Sequence, residues 1–183
     1  MSSENITAVT GQPTGSIPYV SAGYHYVGWY LDAACTCPVP AEWVDSANYQ
    51  LLPQSDGVWL ANQVYYVKID PDFTSLTINT IGCADVDEGQ IFLFRVKGVS
   101  EDCANVDLTV TVVGNGSVTI EQLRVGSYTV TELTEWSYRY TPDSASKDIE
   151  LSVNVTDNRL TFSHIRSVTK WLDGNDNNIN DFN

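Results

Sequence analysis

Charge is scarce in this chain, and most of what there is has one sign. Charged residues make up 17% of the 183 positions, with 23 acidic against 9 basic side chains and a formal net charge of −14. Such a surface repels phosphate backbones and anionic headgroups, which excludes nucleic acid as a partner. No apolar run reaches the length of a membrane span, so this segment is not expected to insert into a bilayer. Met1-Ser-Ser-Glu-Asn5 lacks the basic and apolar regions of a secretory leader, and no sorting signal stands at the other end. Two readings follow, an excised piece of a longer protein or a chain that stays in the cytoplasm, and the first is the one expected here.

Histidine is nearly absent as well. His25 and His164, with four cysteines, show no zinc spacing, and no Gly-rich phosphate loop precedes a helix. No metal, no cofactor and no catalytic activity are expected. His25 stands between Tyr24 and Tyr26 with no nucleophile at a recognisable spacing. A dyad with Cys35 or Cys37 would have to form in a turn-like Cys-Thr-Cys. Those two cysteines are too close to bridge each other without strain. Cys83 and Cys103 bracket a strand over 90–97, whose ends lie roughly 20 Å apart at ~3.3 Å per residue. Four free thiols are expected, with disulfides left open.

What the chain does have is Thr, Val, Tyr and Trp in strand-like runs. Residues 1–20 carry Gly11, Pro13, Gly15 and Pro18 and read as a flexible lead-in. A first module covers 21–71, with strands at Tyr24–Tyr30 and Val64–Ile69. Pro38, Pro40 and Pro53 interrupt the connection between them, leaving at most a turn or two of helix over 40–47. Its packing is expected under Trp43 and Trp59. Asp70-Pro71-Asp72 marks the boundary.

A second module over 72–169 shows seven or eight short strands at regular spacing, which indicates a β-sandwich. Thr74–Thr80 alternates. Phe92, Phe94 and Val96 share one face, as do Leu108, Val110 and Val112. Gly114-Asn115-Gly116 offers positive φ for a tight turn. Tyr128, Val130 and Glu132 point to one side of the next strand. Trp136, Tyr138 and Tyr140 alternate in another, as core. Pro142-Asp143-Ser144 turns the chain, Ile149, Leu151 and Val153 follow, and Leu160–Ile165 is last. Residues 170–183 read as a polar linker or tail. Its Asp173, Asn175, Asn177 and Asp181 have the spacing of an oxygen-ligand loop, but the turn glycine and the twelfth-position Glu are missing. Asp85, Asp87 and Glu88 form a second acidic cluster, read as a polar loop in preference to a cation site.

Two stretches resemble known families. Gly23-Tyr-His-Tyr-Val-Gly-Trp-Tyr-Leu-Asp-Ala-Ala-Cys-Thr-Cys-Pro-Val39, with Val64-Tyr-Tyr-Val-Lys-Ile69, resembles the internalin-type bacterial surface repeat. Gln90–Gly98, Gly114–Ile120, Val125-Gly-Ser-Tyr-Thr-Val-Thr-Glu132 and Lys170-Trp-Leu-Asp-Gly174 resemble the collagen-adhesin B-type (Cna B-like) domain. The resemblance implies an all-β chain: a small β-rich repeat, then an immunoglobulin-like sandwich of the inverse, prealbumin-like kind. It also implies a place outside the cell, at a bacterial surface, cell-wall anchored through regions beyond this chain. The expected role is a structural stalk or spacer of an adhesin, whose partners are neighbouring domains of the same protein. An alternative role is a binding module that meets host glycan or matrix protein through Trp29, Tyr30 and Trp59. Those aromatics have a plainer reading as the core of a small module.

Many domains of the second family carry an internal Lys–Asn isopeptide bond promoted by a buried acid. The acid's position matches Glu132. The Lys position falls at Asn79 or Thr80, and the Asn position at His164. Two of three members are therefore missing, and no isopeptide bond of the usual geometry is expected. Either Glu132 pairs with His164 by a hydrogen bond, or both point to solvent.

Overall fold

The computed structural model describes residues 2–4, 18–52, 64–155 and 157–167. Two compact units divide the chain, Met1–Asp72 and Phe73–Asn183.

In the first unit, β-branched and aromatic residues make two facing strands, β2 (Tyr24–Tyr30) and β5 (Tyr65–Pro71). They pair antiparallel, with a register shift between Tyr26 and Gly28. A short strand β1 (Ser2–Glu4) lies on the other edge of β5, giving the order β1-β5-β2. The lead-in thus contributes a strand at Ser2–Glu4, because β5 otherwise presents an edge of unpaired backbone groups. Residues 5–17 lie outside the described residues. The connection holds a 3-10 turn at Ala41–Trp43 and a two-stranded ribbon of β3 (Val44–Asp45) and β4 (Gln50–Leu51). The core is Trp29, Val39, Leu51, Tyr65 and Val67, with Trp43 packed beside it. Trp59 lies outside the described residues.

Among the described residues the second unit has eight strands in two four-stranded sheets. One runs β12 (Ser146–Leu151), β10 (Gly126–Glu132), β7 (Ile91–Gly98), β8 (Asp107–Val113), all antiparallel. The other runs β11 (Tyr140–Pro142), β13 (Arg159–Arg166), β6 (Phe73–Ile81), β9 (Ser117–Arg124). The first and last strands of this unit, β6 and β13, are neighbours and run parallel, with register from Thr77↔Arg159 to Ile81↔Ser163. Inward residues of both sheets form one core, including Leu76, Ile78, Phe92, Phe94, Val96, Tyr128, Val130, Leu151 and Phe162. The unit is a β-sandwich.

Three local expectations change. Trp136, Tyr138 and Tyr140 do not share a strand. Thr134–Trp136 is a 3-10 turn, Trp136 and Tyr138 are exposed, and only Tyr140 is core. The tighter turn shifts the inward phase from every second residue to Ser137 and Tyr140, three apart. Val153 is exposed, since β12 ends at Leu151. In the β8–β9 turn only Gly114 takes positive φ, at 55°, where an added Cβ would stand 2.6 Å from the Glu88 carbonyl oxygen.

Candidate functional site

A group of polar side chains is sealed between the two sheets of the second unit. Alternation along β10 turns Tyr128, Val130 and Glu132 inward, so the acid at the strand's end enters the core. Alternation along β13 does the same for Phe162 and His164. Glu132 Oε2 and His164 Nε2 stand 2.8 Å apart, and neither side chain has any exposed surface. Buried Ser137 donates its hydroxyl to the other carboxylate oxygen at 2.8 Å. The imidazole Nδ1 lies 3.3 Å from the Ile81 carbonyl oxygen, and the ring packs on Phe92 at a centroid distance of 4.1 Å. Gly82, at φ +87°, lets β6 leave beside His164, whose carbonyl oxygen would be 2.2 Å from a Cβ there.

Each imidazole nitrogen thus faces an oxygen, Nδ1 the Ile81 carbonyl and Nε2 the Glu132 carboxylate, so the buried ring has a polar partner on both sides.

Of the three positions matched to the cross-link, the structure brings two together. Thr80 is buried, but its hydroxyl donates to the Gly114 carbonyl at 2.6 Å and is also near that of Gly116, tying β6 to the β8–β9 turn. Neither Glu132 nor His164 is among its partners.

Beside this cluster lies a second one that the sequence reading missed. Tyr140 donates its hydroxyl to Asp87 Oδ2 at 2.8 Å and accepts from the Ala84 N–H at 3.1 Å. Arg166 Nε reaches the same carboxylate at 2.8 Å, and Arg139 stands 3.7 Å away. The Tyr140 hydroxyl, followed by the Arg166 charge, holds the Asp87 carboxyl below the usual range, while burial pushes the Tyr140 phenol up to about 12. The acid of the 85–88 cluster that faces the fold is thus answered by guanidinium groups. Among the described residues no group of His, Cys, Asp and Glu could hold a metal ion. The tail positions Asp173, Asn175, Asn177 and Asp181 lie outside the described residues.

In the first unit Trp29 is 2% exposed and donates its indole N–H to the Tyr49 carbonyl at 2.8 Å. Its ring is a core element with no free face. Tyr30 is half-buried along Gly28. His25 pairs with Asp72 at 2.8 Å. The Asp32 carboxylate accepts from the Cys37 N–H and from the N–H and hydroxyl of Thr36, which lowers its pKa and closes the Cys-Thr-Cys loop. All four cysteines are free thiols.

No family model matches the chain, and no curated protein does. Solved structures do. A bacterial adhesin from Mobiluncus mulieris containing disulfide, isopeptide and ester cross-links is 12% identical over 72% of this chain and 56% of its own, with a TM-score of 0.41. The major pilin subunit of Bacillus cereus is 16% identical over 60% of this chain and 36% of its own, at 0.38. The group B streptococcus pilus 2b backbone protein is 14% identical over 91% and 98%, at 0.39. This chain spans about half the length of the first and about a third of the second. At such scores the superpositions are loose, and the all-β assignment rests on the strands themselves. No helix among the described residues is long and apolar enough to cross a membrane.

Proposed function

We propose that the chain is a tension-carrying spacer of a bacterial cell-surface adhesin, without catalytic activity and without an isopeptide bond at the usual position. The observation that carries this is the parallel pairing of β6 with β13. Parallel neighbours put the start of β6 and the end of β13 at opposite ends of the sheet, so the chain enters at one end and leaves at the other. A pull along the chain then loads the β6–β13 ladder in shear, with its hydrogen bonds sharing the force instead of opening one by one. Glu132 and His164 add a buried polar clasp from β10 to β13 where the resembling family places its covalent bond. Thr80 adds another from β6 to the β8–β9 turn. The partners of such a segment are the neighbouring domains of its own surface protein, and its place is outside the cell.

Binding through the first unit finds little support, since Trp29 is enclosed.

Single-molecule pulling in two directions tests the spacer reading. Handles before Phe73 and after Ser167 load β6 against β13 in shear. Handles at the β8–β9 turn and after Ser167 peel strands apart. The reading expects a clearly higher unfolding force in the first direction. Equal forces would remove the mechanical argument.

A further inference from the structure

The loop from Leu133 to Arg139 leaves two large aromatics outside, with Trp136 66% and Tyr138 73% exposed. An exposed indole is unremarkable on a soft loop, but this one is held from several sides. The Leu133 N–H bonds to the Leu93 carbonyl at 2.8 Å, and the Trp136 N–H to that of Leu133 at 3.3 Å. Ser137 is anchored by its hydroxyl to buried Glu132, and through it to His164. The Trp136 carbonyl accepts from the Gln90 side chain at 3.2 Å. The residues at the cross-link position therefore also fix the backbone that presents the indole. Tyr138 is steadied by the Arg139 guanidinium, 5.7 Å from its ring centroid.

Against Trp136 lies a depression of about 460 Å³, lined by Gly89, Gln90, Ile91, Leu93, Thr111 and Trp136. On a chain of net charge −14 its lining holds no charged side chain. Gln90 uses both amide hydrogens, one on the Ile91 carbonyl at 2.7 Å and one on that of Trp136, so its oxygen is left as an acceptor. Thr111 is exposed and supplies a hydroxyl that can donate or accept. Six lining residues are far fewer than the ~20–30 per side of a stable protein interface, which points to a small ligand. A flat apolar wall with an acceptor and a hydroxyl at its rim, and no charge, suits one chemistry best. That is a neutral pyranose with apolar C–H groups on its face and hydroxyls around its edge.

We infer that Trp136, with Gln90 and Thr111, forms a lateral binding shelf for neutral, all-equatorial pyranosides on the second unit. The shelf is separate from the spacer reading and stands or falls without it.

The test uses the full chain, with cellotriose and chitotriose as probes, followed by NMR of the tryptophan indole N–H signals. The Trp136 signal is assigned by its loss in Trp136→Phe. The expected result is a saturable shift of that signal with a dissociation constant near the millimolar range, and at least tenfold weaker binding in Trp136→Ala. Thr111→Val, which keeps shape and removes the hydroxyl, weakens binding severalfold. Circular dichroism unchanged from the parent shows that the exposed-site variants still fold. No shift at saturating probe would overturn the inference. So would equal probe-induced shifts of the Gln90 side-chain amide signals in Trp136→Ala and the parent, or a response of Trp136 to a proline-rich peptide and to neither sugar.

Discussion

Among the described residues, the two units differ in where they put tryptophan and in whether they bury polar side chains. The first encloses Trp29 and Tyr65 in a core of five buried residues. The second leaves Trp136 and Tyr138 outside and encloses Glu132, His164, Ser137 and Thr80 instead. Size explains the difference. A small unit gains enough buried area only through its largest side chains. A two-sheet sandwich has aliphatic and phenyl groups to spare, so it tolerates a sealed polar group as long as every member finds partners. Among the described residues, tryptophan therefore marks the core in the first unit and a surface in the second, while phenyl and phenol rings fill the second core.

Mutations sharpen this contrast, beginning with the largest effect. Trp29→Ala removes the centre of the first core and the bond to the Tyr49 carbonyl. It should destabilise the first unit by about 3–5 kcal/mol in urea denaturation followed by backbone NMR, with second-unit signals unmoved. An unaffected first unit would mean that Trp29 is not its core. Glu132→Ala leaves His164 buried without its partner and Ser137 without its acceptor. It should destabilise the second unit by about 3 kcal/mol or more, whereas the double change Glu132→Met with His164→Leu should recover most of that loss. Failure of the double variant to recover would show that the pair contributes more than mutual satisfaction.

Tyr140→Phe comes next, at about 1–2 kcal/mol, because it strips one donor from Asp87 and one acceptor from the Ala84 N–H. The same cluster gives the second unit a pH signature. The Asp87 carboxyl is lowered on folding, so its contribution is full above the ordinary carboxylate range and fades as pH falls through that range and below. The Tyr140 phenol is raised from 10.0 to about 12, so its contribution is full below pH 10 and is lost as pH rises toward 12. Thermal melts across pH should show both flanks, and Tyr140→Phe should weaken the alkaline one, leaving the part carried by buried Tyr128, whose phenol is also raised by burial. Trp136→Ala is the smallest change, within about 0.5 kcal/mol, as suits an exposed side chain. A larger loss would place Trp136 in the core after all.

Much of this architecture was legible in sequence because alternation survives in it. Phe92, Phe94 and Val96 on β7, and Tyr128, Val130 and Glu132 on β10, face inward as their period of two requires. Glu132 and His164 were legible as neighbours only through a resemblance, since nothing in composition links β10 to β13. The aromatic run 136–140 misled for a physical reason. Its alternation mimics a strand, but Ser137 must turn inward to reach Glu132, and a 3-10 turn delivers it there with Tyr140 three residues later. The Asp87 cluster stayed hidden because its arginines, Arg139 and Arg166, lie more than fifty residues further along the chain. The strand at Ser2–Glu4 stayed hidden because three polar residues carry no periodicity.

Where the resemblance to the collagen-adhesin B-type domain implies a cross-link, Glu132 and His164 form a hydrogen-bonded pair, and no covalent bond is expected there. The intact mass of the reduced, fully denatured chain tests this most directly. The expected result is the mass of the unmodified sequence. A deficit of about 17 Da, one ammonia lost as a Lys amine displaces an Asn amide, would contradict it.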